Sequence, residues 1–124
     1  EMTFITCTPD CELLELDTGR RGGLEIKTTE ILSPSGWSHW DGKIPDHYYA
    51  QVCHQMIATG WEFVELLVQI KYTRADVEDR KEVRHYKIER TDVGGDIGLL
   101  AREEKAFWYC VANRQRPGLK LPPI

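Results

Sequence analysis

The run FVELLVQIKY, Phe63 to Tyr72, constrains the fold more than any other stretch of the sequence. It is nearly continuously apolar, and a strand of that character belongs in the middle of a sheet, with neighbours on both edges. One neighbour is EVRHYKIER, Glu82 to Arg90, whose alternating character predicts a second strand, with Asp79-Arg80 in a polar hairpin between the two.

The N-terminal third supplies further strands. Phe4 to Thr8 is β-branched and aromatic, Pro9-Asp10 breaks it, and Glu12 to Leu16 reads as another short strand. Asp17-Thr18-Gly19 is turn chemistry, so these two and the next strand, Gly23 to Thr28, are expected to form an antiparallel meander. Ser33 to Pro45 holds Pro34, Gly36, Gly42 and Pro45 among Trp37, His39 and Trp40, the pattern of a long ordered loop covering something. Tyr48, Val52 and Met56, flanked by Tyr49, Cys53 and Ile57, recur at helical spacing from about Pro45 to Thr59, with Gly60 as the C-cap. A second helix is expected from about Ile97 to Arg114, followed by a Pro-rich tail. The expected order is β-β-β-α-β-β-α: an α/β (α+β) chain with a central mixed sheet flanked by helices, one domain over residues 1–124 with 113–124 as tail.

Composition removes several classes of function. With 41% hydrophobic and 29% charged residues, and no apolar run near the ~18 residues a membrane span needs, the chain reads as globular and without a membrane partner. A formal charge of −4 argues against a coat-like nucleic-acid binder, although 16 Lys and Arg leave room for local basic patches. Lys71, Arg74, Arg80, Lys81 and Arg84 are interspersed with Asp76, Glu78, Asp79 and Glu82, which favours a solvated face. Cys7, Cys11, Cys53 and Cys110 are scattered, without C-x2-C spacing or a leading signal-peptide pattern, so they are read as reduced thiols in a cytoplasmic protein. No two of His39, His47, His54 and His85 are spaced as a metal-ligand pair.

The chemistry concentrates in GGLEIKTT, Gly22 to Thr29, where Leu24 and Ile26 take one face and Glu25 and Lys27 the other. As an exposed ion pair, Glu25 and Lys27 contribute little. Asp10, directly after Pro9 and hairpin-connected to this strand, can fold back beside Glu25. Two carboxylates and a backbone carbonyl suit Mg²⁺ or Mn²⁺, hard cations that prefer oxygen. Such an ion polarises a phosphate oxygen and acidifies a bound water, while a neighbouring ammonium positions that water or stabilises developing charge. Metal-assisted phosphodiester hydrolysis is the resulting expectation; if Asp10 points elsewhere, the pair reverts to a surface salt bridge. Gln51, an amide between Ala50 and Val52 on a packed helix, needs hydrogen-bond partners if buried.

Thr8-Pro9-Asp10 followed by GGLEIKTT resembles the PD-(D/E)XK nuclease signature. The helix IPDHYYAQVCHQMIATG, with Tyr48-Tyr49-Ala50-Gln51 as Tyr-x-x-Gln, is similar to that of the lambda-exonuclease or YqaJ-type viral recombinase branch. RHYKIERTD and EEKAFWYCVANRQRPG are similar to that branch's last strand and closing helix, so the resemblance runs from about Phe4 to Pro117. It implies a restriction-endonuclease-like core, with Asp10, Glu25 and the Ile26 carbonyl as ligands of Mg²⁺, Mn²⁺ substituting. Lys27 would orient water or stabilise charge, and Tyr48 and Gln51 would support the site or the DNA strand. It further implies a phage-type 5′-3′ exonuclease acting in recombination in a bacterial or phage-infected cell. Its implied partners are DNA, copies of itself in a ring-like oligomer, and a single-strand annealing protein. An endonuclease or junction resolvase, or a catalytically incomplete DNA-binding or assembly module, are the alternatives. The sequence departs from the branch in lacking its N-terminal helical region, which carries an acidic residue and DNA-gripping basic residues; a fragment, a minimal relative, or a protein whose missing part comes from another chain is the expectation.

Overall fold

The structure, a computed structural model, describes residues 2–74 and 77–120, without the side chains of 74 and 77–79. Expectations for Glu1, Arg74, Asp76, Glu78 and Asp79 as side chains, and for the last four residues of the tail, lie outside the described residues. Among the described residues, β1 (Cys11–Leu14), β2 (Arg21–Ile31), β3 (Phe63–Arg74) and β4 (Val77–Glu89) form one sheet in the order β1-β2-β3-β4. β2 and β3 are parallel, whereas β1 with β2 and β3 with β4 are antiparallel. A short 3-10 helix, Pro34–Trp40, and helix α1, Asp46–Thr59, make the crossover that a parallel pair requires. Helix α2, Gly94–Ala112, packs on α1. A mixed sheet flanked by helices in the order β-β-α-β-β-α is consistent with a restriction-endonuclease-like core.

Three expected elements differ. Phe4 to Thr8 is not a strand: Phe4 stacks on Trp108 of α2, with ring centroids 5.2 Å apart, and the Thr6 carbonyl bonds to His54 of α1. This segment packs against helices because Pro9, which has no N–H to give a ladder, separates it from β1. Asp79 and Arg80 lie within β4, where Arg80 pairs with Tyr72, because the β3–β4 ladder runs further toward its tip than polarity suggested. The expected loop after Ser33 contains the 3-10 helix that buries Trp40.

Two apolar clusters lie between the sheet and the crossover. One joins Val52, Cys53 and Met56 of α1 to Trp61, Val64 and Ile97; the other joins Ile31 and Trp40 to Val68 and Ile70. Of the consecutive glycines of β2, Gly23 admits the first and Gly22 admits Phe63. A Cβ on Gly23 would lie 2.2 Å from the Trp61 ring, and one on Gly22 would lie 2.5 Å from Phe63. The two rings occupy the space that side chains at these positions would need. On the Phe63 side, Arg20 and Lys87 cover the ring, with Arg20 paired to Glu15 and Glu89 and Lys87 to Glu15. Arg20, then Lys87 and Thr18, hold the Glu15 carboxyl well below the usual carboxylate range.

At the end of α1, Gly60 takes the left-handed conformation (φ 75°) and its N–H donates to the Met56 carbonyl. Arg90 caps the same end by donating to the carbonyls of Met56 and Trp61. These contacts anchor the C-terminal end of α1 to the segments that flank β3 and β4, and so help to position the residues described next.

Candidate active site

Register places Asp10. Cys11, the first residue of β1, pairs with Leu24, so Asp10 falls beside Glu25 where β1 has ended and β2 continues. Its Oδ2 accepts the Ile26 N–H at 2.7 Å. The Glu62 N–H donates to the Arg21 carbonyl, so odd-numbered residues of β2 bond toward β3 and even-numbered ones toward the β1 side. The Ile26 carbonyl therefore emerges on the same open edge as its N–H, next to Asp10.

The side chains of Glu25 and Lys27 share the face beneath α1, as their spacing requires. That face is the covered one: Glu25 is 4% exposed, whereas Ile26, on the opposite face, is 51% exposed. The usual assignment of faces by apolarity is reversed here because α1 supplies donors to the buried carboxylate. Gln51 Nε2 donates to Glu25 Oε1 at 2.8 Å, Gln55 Nε2 donates to Oε2 at 2.7 Å, and Lys27 Nζ donates to Oε1 at 2.7 Å. Gln51 and Gln55 are one turn apart and meet the carboxylate together. Along β3, Leu66 is the partner of Glu25 and lies between Val64 of one apolar cluster and Val68 of the other, so the polar group occupies the gap between them.

The surroundings extend to both ends of the charge pair. Lys27 Nζ lies 5.6 Å from the centroid of the Tyr48 ring, which itself sits between His47 and Trp40. Near Glu25, burial, and then the negative charge of that carboxylate, push the Cys7 thiol above its ordinary value. All four cysteines are free. Trp37 and Trp40 pack against Tyr72, Tyr48 and Tyr86.

Asp10, Glu25, Ile26, Lys27, Tyr48 and Gln51 are thus brought to one place. Gln55 was not anticipated from the sequence. It needs hydrogen-bond partners for the same reason as Gln51, being a second amide on the same helix face four residues on, buried to 2% exposure. Its Oε1 is buried without a partner among the described residues. An orphaned acceptor beside a buried carboxylate suits a hydrated cation, whose waters donate outward.

The donor set has the same bias: two carboxylates and a carbonyl are hard oxygen ligands, and Asp10 is exposed with one oxygen engaged by Ile26. Three donors already hold Glu25, which leaves about one of its four lone-pair positions for an ion. Among the described residues, no three His, Cys, Asp or Glu side chains group to hold a metal. A hydrated Mg²⁺ or Mn²⁺, bound by few protein ligands, fits such a set better than a closed cage would. Among the described residues, no helix is long and apolar enough to cross a membrane.

Residues 1–62, half of the sequence, match the family described as YqaJ-like viral recombinase domain. That stretch includes Asp10, Glu25, Ile26, Lys27, Tyr48, Gln51 and Gln55. No curated protein and no solved structure matches the chain.

Proposed function

The chain belongs to the YqaJ-like viral recombinase domain family, and on that premise we propose that it is a metal-dependent deoxyribonuclease of the PD-(D/E)XK kind. The observation that carries the reading is the convergence of Asp10 on Ile26 beside the buried Glu25–Lys27 pair. Asp10, Glu25 and the Ile26 carbonyl would hold Mg²⁺ or Mn²⁺, and that ion would supply Lewis-acid activation of the phosphate and an acidified water. Gln51 and Gln55 fix the Glu25 carboxylate. The Lys27 ammonium, largely shielded from solvent, stabilises negative charge developing on a phosphate oxygen or orients the attacking water, an interaction strengthened by low local dielectric. Tyr48 holds Lys27 through a cation–π contact and contributes its ring to the DNA side of the site.

The family supports a role in phage-type recombination, with 5′-3′ resection of DNA ends, a ring-like oligomer and a single-strand annealing partner as the proposed context. Cleavage of labelled DNA with and without Mg²⁺ or Mn²⁺ tests the reading. Glu25→Ala and Lys27→Ala are each expected to lower the rate by about a hundredfold or more. Full activity in the Glu25→Ala protein would sink the assignment. Covalently closed circles resist an exonuclease and are opened by an endonuclease or junction resolvase. A second reading, a noncatalytic DNA-binding or assembly module, is favoured by the three donors that already occupy Glu25. It predicts no Mn²⁺ binding by calorimetry at millimolar concentrations.

A further inference from the structure

We propose that the cavity at the C-terminal end of β2 receives the nucleobase flanking the scissile phosphate, with His47, set against Tyr48, as its stacking ring and Asp46 as an acceptor for base amino groups. This rests on the nuclease reading of the Glu25–Lys27 site and adds to it the path of the strand.

A DNA strand whose phosphate lies at Lys27 continues in one of two directions along β2. Toward Gly23 the way is closed, because the Trp61 ring is packed onto that glycine. Toward Thr29, which shares the face of Glu25 and Lys27, a cavity of about 530 Å³ opens, within the range of small-molecule sites. Thr29, Glu30, Trp40, Asp46, His47 and Tyr48 are among its lining. It lies at the carboxyl end of a parallel strand, where open α/β sheets bind ligands.

The lining selects a base over a phosphate. Tyr48 links the cavity to Lys27: its ring is 5.6 Å from Nζ, 4.2 Å from the His47 ring centroid and 5.9 Å from that of Trp40. Trp40 is buried and holds Tyr48 from behind, while His47 is exposed and offers a free face. Asp46, an exposed carboxylate at the start of α1, repels a phosphate and accepts hydrogen bonds from N–H donors. Adenine, cytosine and guanine carry exocyclic amino groups; thymine does not.

The test uses the whole protein and short DNA substrates in which one abasic residue is moved along the strand. Affinity is read by fluorescence anisotropy in EDTA, and cleavage is read separately in Mn²⁺. An abasic residue directly beside the cut position is expected to weaken binding about tenfold, the scale of one base stacked on an aromatic side chain. His47→Ala is expected to reduce that discrimination to about twofold, and His47→Phe to restore it. Cleavage in Mn²⁺ with no abasic position weakening binding overturns the base cavity and leaves the nuclease reading standing. Discrimination that survives His47→Ala unchanged also overturns the base cavity. Absence of both binding and cleavage overturns the nuclease reading and this proposal with it.

Discussion

Glu25 and Lys27 form an ion pair that is mostly removed from water, with side-chain exposures of 6% and 21%. Such a pair contributes little net stability, but removing one partner strands the other. Glu25→Leu is therefore expected to cost about 3 kcal/mol or more, since it leaves an ammonium and two amides without their acceptor. Adding Lys27→Met should recover a large part of that loss. Urea unfolding of both single variants and the double variant measures the coupling, expected to be at least about 1 kcal/mol; additive losses would refute a buried pair. That the two residues share a face was legible from the two-residue period of a strand. Which face is covered was not, because Leu24 and Ile26 suggest the opposite and only the amides of α1 decide it. Gln55 escaped notice because it lies among Val52, Cys53 and Met56, where the apolar pattern dominates.

At the scale of elements, the glycine pair determines how closely β2 and the start of β3 pack. Gly23→Ala places a methyl group on the Trp61 ring and is expected to destabilise the fold by about 1–3 kcal/mol, as overpacking does. The loss should appear as a lower urea midpoint with an unchanged slope. Gly19→Ala is strained for a different reason, a φ of 72° with nothing within 4 Å, and serves as the comparison. The helices and the interior position of β3 were legible from periodicity and from capping residues such as Gly60. The N-terminal strand was not, since Phe4, Ile5 and Thr6 have strand propensity whether they pair in a sheet or pack on helices. Tertiary contacts with Trp108 and His54 decided that case.

On the scale of the whole molecule, His54 ties three parts of the chain together. Its Nδ1 meets Glu104 of α2 at 2.6 Å and its Nε2 meets the Thr6 carbonyl at 2.8 Å, so both ring nitrogens face acceptors and the imidazolium is the form that fits. Burial pulls its pKa down, but the Glu104 hydrogen bond, the Thr6 carbonyl and the Glu104 charge together carry it above 6.5. A raised folded-state pKa means that the stabilisation is fully present below about pH 6.5 and fades as pH rises through the raised value. Urea unfolding at pH 5.5 and 8.5 should show this loss in the wild type and not in His54→Gln; a similar pH dependence in both would exclude the tie. The bonds around the site also differ in chain separation: Asp10 reaches Ile26 across 16 residues, Gln51 reaches Glu25 across 26, and Gln55 reaches it across 30. Shorter loops close sooner. The hairpin should therefore carry Asp10 to its place before the helix arrives, so that one carboxylate is installed while the other still faces water. In pulse-labelled refolding the Ile26 amide is expected to gain protection ahead of the β3 amides that bond to β2, and later protection would reverse that order of assembly.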